Sequence, residues 1–522
     1  MPQIKVHEKA LAHLSRGLYR SPASAIRELV SNAWDANATE VRINTSYPQF
    51  MQLSIRDNGD GFTKSDFEAL MKGGIGNSEK RTDEAKHLVH NRPVIGRLGI
   101  GMLGIAQICG RFTITSKPIK GEAFRATVTL YDLIKEKLDR DDPDVVHTEP
   151  EVGDGDGALK TVDVGTYDFD KNVDVASIRR GTHIVSDDVH PTFIKRFQDS
   201  LKGEKFKEPS QDWAKCVNVF TNVHSLNELG DYWRLLWELA ASCPIPYSSD
   251  SAVPGGLIRS FQGALVQYKF SLIVDGIALA KPISLRRNPG GGFTKVPIGR
   301  ETKRIYGRDL TFAGYIVVQE GKQLKPDELR GIMIRIKQIG IGYYDASMLE
   351  YSKNQGPRAK WLTGEIYVEK GLEDALNVDR DSFNRFHPEY RALQERVHKI
   401  LDDEVFPEVY KQIDVRSERR AAERRETREH RLRSVLEDSV GKKVRIKTAR
   451  HRDSDESLVD VRQTATELQL TMRDPEVLQV RKPNQQLAAS VLALFDIASK
   501  EDSNSLRRRK FEELLVALLA RW

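Results

Sequence analysis

The feature that most constrains the fold is an acidic, glycine-containing run, SIRDNGDG at residues 54–61, at the end of a strand-like segment. Glycines two and four positions after Asp57 allow the chain to turn tightly and to approach a flat ligand closely. Asp57 is then a carboxylate acceptor suited to an amine donor such as that of adenine. The same run is also an ordinary turn sequence, so taken alone it predicts only a turn.

A second motif, ELVSNAWDAN at residues 28–37, follows a predicted helix start at Ser21 and Pro22. Glu28 and Asn32 are four residues apart and therefore share one face of this helix. A carboxylate there can deprotonate a water, and an amide oxygen can ligate Mg2+ held by phosphates. A solvated helix face would carry the same two residue types, so this motif also needs support.

A third motif, GRLGIGMLG at residues 96–104, precedes a helical pattern. Clustered glycines before a helix expose backbone N–H groups that can hold phosphates. The run matches the dinucleotide fingerprint GxGxxG, but no clear apolar strand precedes it and that interpretation leaves the first two motifs unexplained. No Walker A pattern occurs in the sequence.

In this order, and followed by Gly181 and Thr182, the three motifs resemble the GHKL superfamily of gyrase B, the ninety-kilodalton heat-shock chaperone, sensor histidine kinases and MutL. The resemblance implies an α/β fold. It predicts an N-terminal α/β sandwich of the Bergerat type, in which helices cover one face of an antiparallel or mixed sheet. ATP and Mg2+ would lie between helices and a mobile lid.

The resemblance also implies roles for individual residues. Glu28 would be the general base, Asn32 the magnesium ligand and Asp57 the adenine acceptor, with Gly59 and Gly61 beside it. Asp35 is expected to be structural or to act through its neighbours. The lid, the segment before it and the adenine-side threonine supply the remaining nucleotide contacts, which are Gly96, Gly99, Ile100, Gly101, Asn77, Ser78, Lys80 and Thr182. Lys80 is equally typical of a surface lysine.

The resemblance extends to ALNVDRDSFN at residues 375–384, which is similar to the chaperone's middle-domain motif. It implies that Arg380 reaches the γ-phosphate, a task suited to a permanently charged bidentate donor. Lys337 is the alternative, by analogy with the transducer lysine of MutL and gyrase. A structural Arg–Asp pair and a solvated strand lysine remain the alternatives for the two residues.

A chain of 522 residues is long enough for two or three cores. We expect an ATP-binding domain at 1–200, a transducer-like α/β domain at 215–405, a basic Arg/Glu-rich helix at 406–455 and a helical dimerisation or docking region at 456–522. The net charge is +6, and residues 411–452 carry 15 Lys or Arg against 7 Asp or Glu. The basic character is therefore localised in the predicted helix.

The three cysteines lack CxxC spacing, which argues against a disulfide framework and a zinc site. No apolar run reaches the ~20 residues of a membrane span. Charges interrupt the apolar residues of the first segment, so we expect a cytoplasmic or otherwise intracellular protein, the nucleus included.

Two functions within the superfamily remain open. In the first, a MORC-like homodimer closes on ATP and its basic segment, 411–452, contacts duplex DNA. In the second, a machine similar to the heat-shock chaperone acts on protein clients or partner subunits. A histidine kinase is disfavoured because no helix with a phosphoacceptor histidine precedes the ATPase motifs. The Glu residues of the basic helix also neutralise part of its charge, so a merely solvated helix is the alternative to DNA binding.

Overall fold

The computed structural model describes residues 2–7, 21–74, 88–89, 92–93, 101–130, 161–171, 178–202, 208–248, 269–283, 292–352, 355–377, 381–440, 443–449, 459–463 and 467–473, with Ser503, Leu506 and Arg509. The chain divides into two compact units, Met1–Gln412 and Ile413–Trp522.

The first unit contains a nine-stranded sheet. Its strands are β1 (Gln3–His7), β2 (Glu40–Asn44), β3 (Leu53–Asp57), β6 (Cys109–Lys117), β7 (Phe124–Leu130), β8 (Thr161–Phe169), β9 (Gly181–Val189), β10 (Ser271–Val274) and β11 (Ile277–Leu279), and the short β4 (Leu88–Val89) and β5 (Arg92–Pro93) pair separately. The order across the sheet is β1-β8-β7-β6-β9-β3-β2-β10-β11. Only β2 and β10 run parallel, so the sheet is mixed, as expected.

Helices bury the inner face of this sheet. They are α1 (Pro22–Asp35), α2 (Lys64–Ala69), α3 (Pro191–Ser200), α4 (Trp213–Asn222) and α5 (Asp231–Ser242), with short turns at Leu70–Gly74, Gly101–Gln107 and Leu226–Glu228. α1 begins at the predicted cap, where the Ser24 amide donates to Ser21 Oγ at 3.2 Å and Pro22 occupies the first turn. Alternate residues of β7 are buried, which is the pattern of a strand with one face in the core.

A second, five-stranded sheet follows in the first unit. Its strands are β12 (Phe293–Ile305), β13 (Arg308–Gln319), β14 (Gly331–Ile336), β15 (Ile339–Asp345) and β16 (Leu362–Lys370), in the order β12-β13-β16-β14-β15, accompanied by the turn Asp327–Leu329, α6 (Gln355–Ala359), α7 (Pro388–Ile400) and the turn Leu401–Val405. The sheets divide later in the chain than the expected boundary at 200–215. β10 and β11 extend the first sheet, because β10 pairs with β2 across more than two hundred residues.

The C-terminal part differs from its predicted, wholly helical form. α8 (Phe406–Val440) is the expected Arg/Glu-rich helix, but it ends before residue 455 and is followed by β17 (Lys443–Ala449), β18 (Val459–Gln463) and β19 (Glu467–Arg473), which form one sheet. The reason is local: KVRIKTA and ELQLTMR alternate polar and apolar residues, which is a strand period. The predicted apolar helices after residue 486 lie outside the described residues. Among the described helices, none is both long and apolar enough to cross a bilayer.

Between the two sheets lies a fully buried group of polar side chains, which we call the tyrosine cluster. Its members are Tyr247, Lys281, Tyr315, Arg335, Tyr344, Glu365 and Tyr367. Glu365 is at the centre: Arg335 Nη2 lies 2.5 Å from its Oε1, and Tyr344 donates to the same oxygen at 2.8 Å. The other oxygen accepts hydrogen bonds from the remaining three tyrosines.

Charge is balanced within this cluster. Burial by itself would raise the pKa of Glu365, but Arg335 and Lys281 hold that pKa well below its usual range. Burial and the Arg335 charge lower the pKa of Lys281, whose ammonium nitrogen is 3.0 Å from the Tyr367 hydroxyl. The ion pair therefore survives burial because every oxygen of the carboxylate is hydrogen-bonded.

Replacing Glu365→Gln keeps the side-chain shape but leaves the Arg335 charge buried without its anion. We expect the first unit to lose about 3–5 kcal/mol of unfolding free energy. Urea denaturation followed by tryptophan fluorescence measures the loss. The control is Glu369→Gln in the same strand, where the carboxylate pairs with exposed Arg300 and little change is expected. Equal stabilities of the two variants would contradict the role of the cluster.

Candidate functional site

The helix α1 presents the two polar residues of the ELVSN motif at different depths. Glu28 is only 3% exposed, whereas Asn32, one turn later, is exposed. The helix packs against the turn Gly101–Gln107, so the end of the glycine motif lies along α1. Among the described residues, the Asn32 side chain has no hydrogen-bond partner, which leaves its amide free to bind a ligand.

A buried ionic network joins α1 to the segment after Arg380. Arg27 Nη1 donates to Asp381 Oδ1 at 2.7 Å, and Ser24 Oγ donates to Asp381 Oδ2 at 3.0 Å. Arg27 Nη2 is also 3.5 Å from Glu28 Oε1. Burial alone would lower the pKa of Arg27, but the two carboxylates raise it. Arg27 therefore stays charged and is shared between Asp381 and Glu28.

Sequence reasoning missed Arg27 and Asp381 as partners. An Arg-Glu pair inside a helix is ordinary, and Asp381 was considered only as a structural partner for the arginine beside it. The contact joins residues 354 positions apart, and no local pattern announces it. Arg380 itself lies outside the described residues.

Asp57 ends β3 and is held by the turn that follows it. Its Oδ1 accepts hydrogen bonds from the Gly59 amide at 2.8 Å and from the Thr182 amide at 3.2 Å. Burial raises the pKa of the Asp57 carboxyl, and these two hydrogen bonds oppose the shift. The structure thus brings together Asp57, Gly59 and Thr182, which the sequence analysis had assigned to one pocket.

Two glycines are required by close backbone contacts at this turn. A Cβ on Gly181, whose φ is +105°, would lie 2.2 Å from the Asp57 carbonyl oxygen. A Cβ on Gly61, whose φ is +63°, would lie 2.6 Å from the carbonyl oxygen of Lys117. These approaches hold the starts and ends of β3, β6 and β9 against one another.

The remaining predicted residues have different outcomes. Asp35 is half-buried in the last turn of α1. Lys337 lies in the turn after β14, and its ammonium is 3.1 Å from Glu373 Oε1. The other predicted nucleotide contacts, Asn77, Ser78, Lys80, Gly96, Gly99 and Ile100, lie outside the described residues.

Magnesium is tested here by the chemistry of the donors. Within the described ranges, no group of three or more His, Cys, Asp or Glu side chains could by itself hold a metal ion. An exposed amide such as Asn32 fits a hard cation that is held mainly by phosphates and water. The donor set therefore fits Mg2+ bound together with a nucleotide.

Comparison with known proteins agrees with this geometry. Residues 19–152 match the family described as histidine kinase-, DNA gyrase B-, and HSP90-like ATPase. These residues include α1, the Asp57 turn and the glycine motif. The N-terminal part of the chain is thus a GHKL-type domain, and the protein belongs to the GHKL ATPase superfamily through it.

Two curated relatives match parts of the same region. A putative type II restriction enzyme, HgiDII, from Herpetosiphon aurantiacus is 43% identical over 95 residues, covering 18% of this chain and 15% of the relative. The mismatch repair protein MutL from Colwellia psychrerythraea is 34% identical over 99 residues, covering 19% of this chain and 14% of the relative. The chain therefore spans about one seventh of each relative's length.

Among solved structures, the N-terminal domain of a DNA repair protein aligns with 76% of this chain and 97% of its own, at 14% identity and a TM-score of 0.36. A score this low adds nothing to the assignment, which depends on the residues 19–152.

Asp381→Asn tests the network beside Glu28. The change leaves buried Arg27 without its closest anion, so we expect a loss of about 3–5 kcal/mol of unfolding free energy. Arg27 would then be drawn to Glu28, and ATP hydrolysis should slow while ATP affinity is kept. Chemical denaturation, a turnover assay and a binding titration measure the three quantities.

The matched control is Asp374→Asn, which breaks an exposed pair with Arg308. It should change none of the three quantities appreciably. Full activity and stability of Asp381→Asn would show that the network positions nothing.

Proposed function

We propose that the protein is a Mg-ATP-dependent ATPase in which ATP binding brings two N-terminal domains together on duplex DNA. The observation that carries the ATPase proposal is the pairing of buried Glu28 with exposed Asn32 on α1, beside an Asp57 carboxylate held by the Gly59 and Thr182 amides. Resemblance to the superfamily and the match over residues 19–152 support the same chemistry.

In this proposal each residue has a separate task. Glu28 accepts the proton of the attacking water, Asp57 accepts the adenine amine, and Asn32 ligates Mg2+. When bound, Mg2+ neutralises charge on the phosphates. Because Arg27 divides its hydrogen bonds between Asp381 and Glu28, Asp381 keeps the base from being fully engaged by the neighbouring cation.

For the γ-phosphate, we propose Arg380 over Lys337. Asp381, the next residue in the chain, contacts Ser24 and Arg27 on the helix that carries Glu28. Lys337 is instead paired with Glu373. The backbone next to Arg380 is therefore already at the catalytic helix, whereas the lysine would have to leave an ion pair.

Duplex DNA is preferred to protein clients for two reasons. The printed names of the relatives, a restriction enzyme and a mismatch repair protein, describe proteins that act on DNA. Residues 411–452 also carry eight more basic than acidic residues. Part of this charge is neutralised, since Arg419 Nε lies 3.0 Å from Glu423, but the surplus is suited to sequence-independent phosphate contacts.

Glu28→Ala tests the catalytic assignment. We expect ATP to bind with nearly unchanged affinity and turnover to fall by at least about 100-fold, because general-base catalysis is lost. Steady-state phosphate release and a fluorescent-nucleotide titration measure the two effects. Glu40→Ala, which removes a carboxylate paired with Arg42 on β2, is the control and should retain turnover. Hydrolysis that survives in Glu28→Ala would refute the assignment.

Substitution of four arginines by alanine tests the DNA proposal. With Arg419, Arg420, Arg424 and Arg425 changed, we expect weaker binding to duplex DNA and a smaller dependence of affinity on salt, by up to about 0.9 in log–log slope per lost phosphate contact. Fluorescence anisotropy at rising salt measures both, and duplex DNA should also stimulate ATP turnover in the unchanged protein.

The control changes four exposed cations of the first unit, Lys195, Lys202, Lys295 and Arg304, to alanine, which alters net charge equally. If both variants bind DNA alike, total charge and not α8 is responsible. If the unchanged protein does not bind DNA at low salt, suppression of client aggregation becomes the assay of choice.

A further inference from the structure

The outer face of the first sheet carries a row of polar and cationic side chains. In adjacent strands, Arg56 of β3 pairs in register with His183 of β9, His183 with Thr115 of β6, and Thr115 with Arg125 of β7. Their sequence neighbours Ile55, Ile114, Ala126 and Ile184 are buried in the core. Because side chains alternate between faces, this row lies on the face turned away from α1.

A cavity of about 130 Å3 opens along this row. Its lining adds Arg179 and Arg180, from the segment before β9, to Arg56, Arg125, Thr115 and His183. Pockets for whole drug-sized ligands typically measure about 300–1,000 Å3. This cavity is smaller and suits a single compact group.

The cations of the cavity are only partly compensated. Arg180 pairs with Asp60, and Arg125 Nη1 is 3.6 Å from Asp170. In the parts of the chain that the structure describes, Arg56 and Arg179 have no ion-pair partner. Arg42, directly opposite Arg56 on β2, adds a like charge, although Glu40 binds it at 2.6 Å. Like charges opposite each other repel, and a bound anion would relieve this repulsion.

The neutral members of the row can donate hydrogen bonds. Thr115 Oγ1 accepts from Arg125 Nε at 3.3 Å and keeps its own proton. His183 Nε2 is 2.9 Å from Ser54 Oγ. Burial, followed by the charges of Arg56 and Arg125, lowers the pKa of His183, which shows how strongly the local field favours negative charge.

We propose that this cavity is a second, phosphate-binding site, on the opposite side of the sheet from the Asp57 turn. Guanidinium groups bind tetrahedral oxyanions with paired hydrogen bonds, and the cavity presents several of them around one small volume. The phosphate belongs either to a nucleic acid backbone or to a small phosphorylated molecule. Neither source depends on the assignment of Glu28 or on α8.

The test is calorimetric titration of the full chain with inorganic phosphate at constant ionic strength, with and without saturating ADP. The unchanged protein should bind phosphate in both conditions. The double variant Arg56→Gln and Arg125→Gln should bind it at least about tenfold more weakly, because charge-assisted hydrogen bonds are lost. Arg42→Gln, on the same face but outside the cavity, should bind within about twofold of the unchanged protein.

Circular dichroism shows whether the double variant folds, and if it does not, Arg56→Gln alone is used and should weaken phosphate binding several-fold. Equal phosphate binding by the folded cavity variant and the unchanged protein would overturn the proposal. Absence of any phosphate binding by the unchanged protein would overturn it too.

The source of the phosphate is separated by repeating the DNA anisotropy titration on the same variants. Weaker DNA binding with a reduced salt slope assigns the site to the nucleic acid backbone. Unchanged DNA binding together with lost phosphate binding assigns it to a small phosphorylated ligand.

Discussion

The buried ion pair of Arg335 and Glu365 is the interaction on which the arrangement of the first unit depends. Two charges removed from water are stable only when their hydrogen-bonding groups are satisfied in good geometry. The tyrosines of the cluster supply those bonds from β13, β15, β16 and the segment after α5, and Arg335 Nη2 also donates to the Ala241 carbonyl on α5 at 2.5 Å. Apolar packing tolerates sliding, whereas directional bonds of this kind allow one position of the second sheet against α5.

That position has a consequence for the catalytic helix. α5 packs against both α1 and β15, and Ser21 at the start of α1 donates to Glu238 of α5 at 2.6 Å. With these elements in place, Asp381 lies against Arg27, and Arg27 lies beside Glu28. The charge surrounding the carboxylate is thus determined partly by residues of the later sheet. A movement that separates Asp381 from Arg27 would leave Glu28 as the only anion of this network near the guanidinium.

The strands of the first sheet serve different purposes on their two faces and at their ends. Ile55 packs in the core, Arg56 lies on the outer face, and Asp57 ends the same strand at the Gly59 turn. Superfamily membership accounts for the inner face and the Asp57 turn, but the same fold is used for many biological tasks. The basic segment 411–452 and the outer-face cavity are therefore the parts of this chain that bear on what its ATP chemistry acts upon.

The sequence by itself determined the elements whose signals are local. The Ser21 cap and Pro22 predicted the start of α1, alternation predicted β2 at its observed bounds, and the glycines after Asp57 predicted the turn. A local signal was overlooked in KVRIKTA, which is a strand although a helix was expected. The tertiary structure alone decided that β10 joins β2, that Lys281 is buried with Glu365, and that Asp381 holds Arg27. Each of those contacts joins residues far apart in the chain, and its energy depends on burial that no short stretch of sequence reveals.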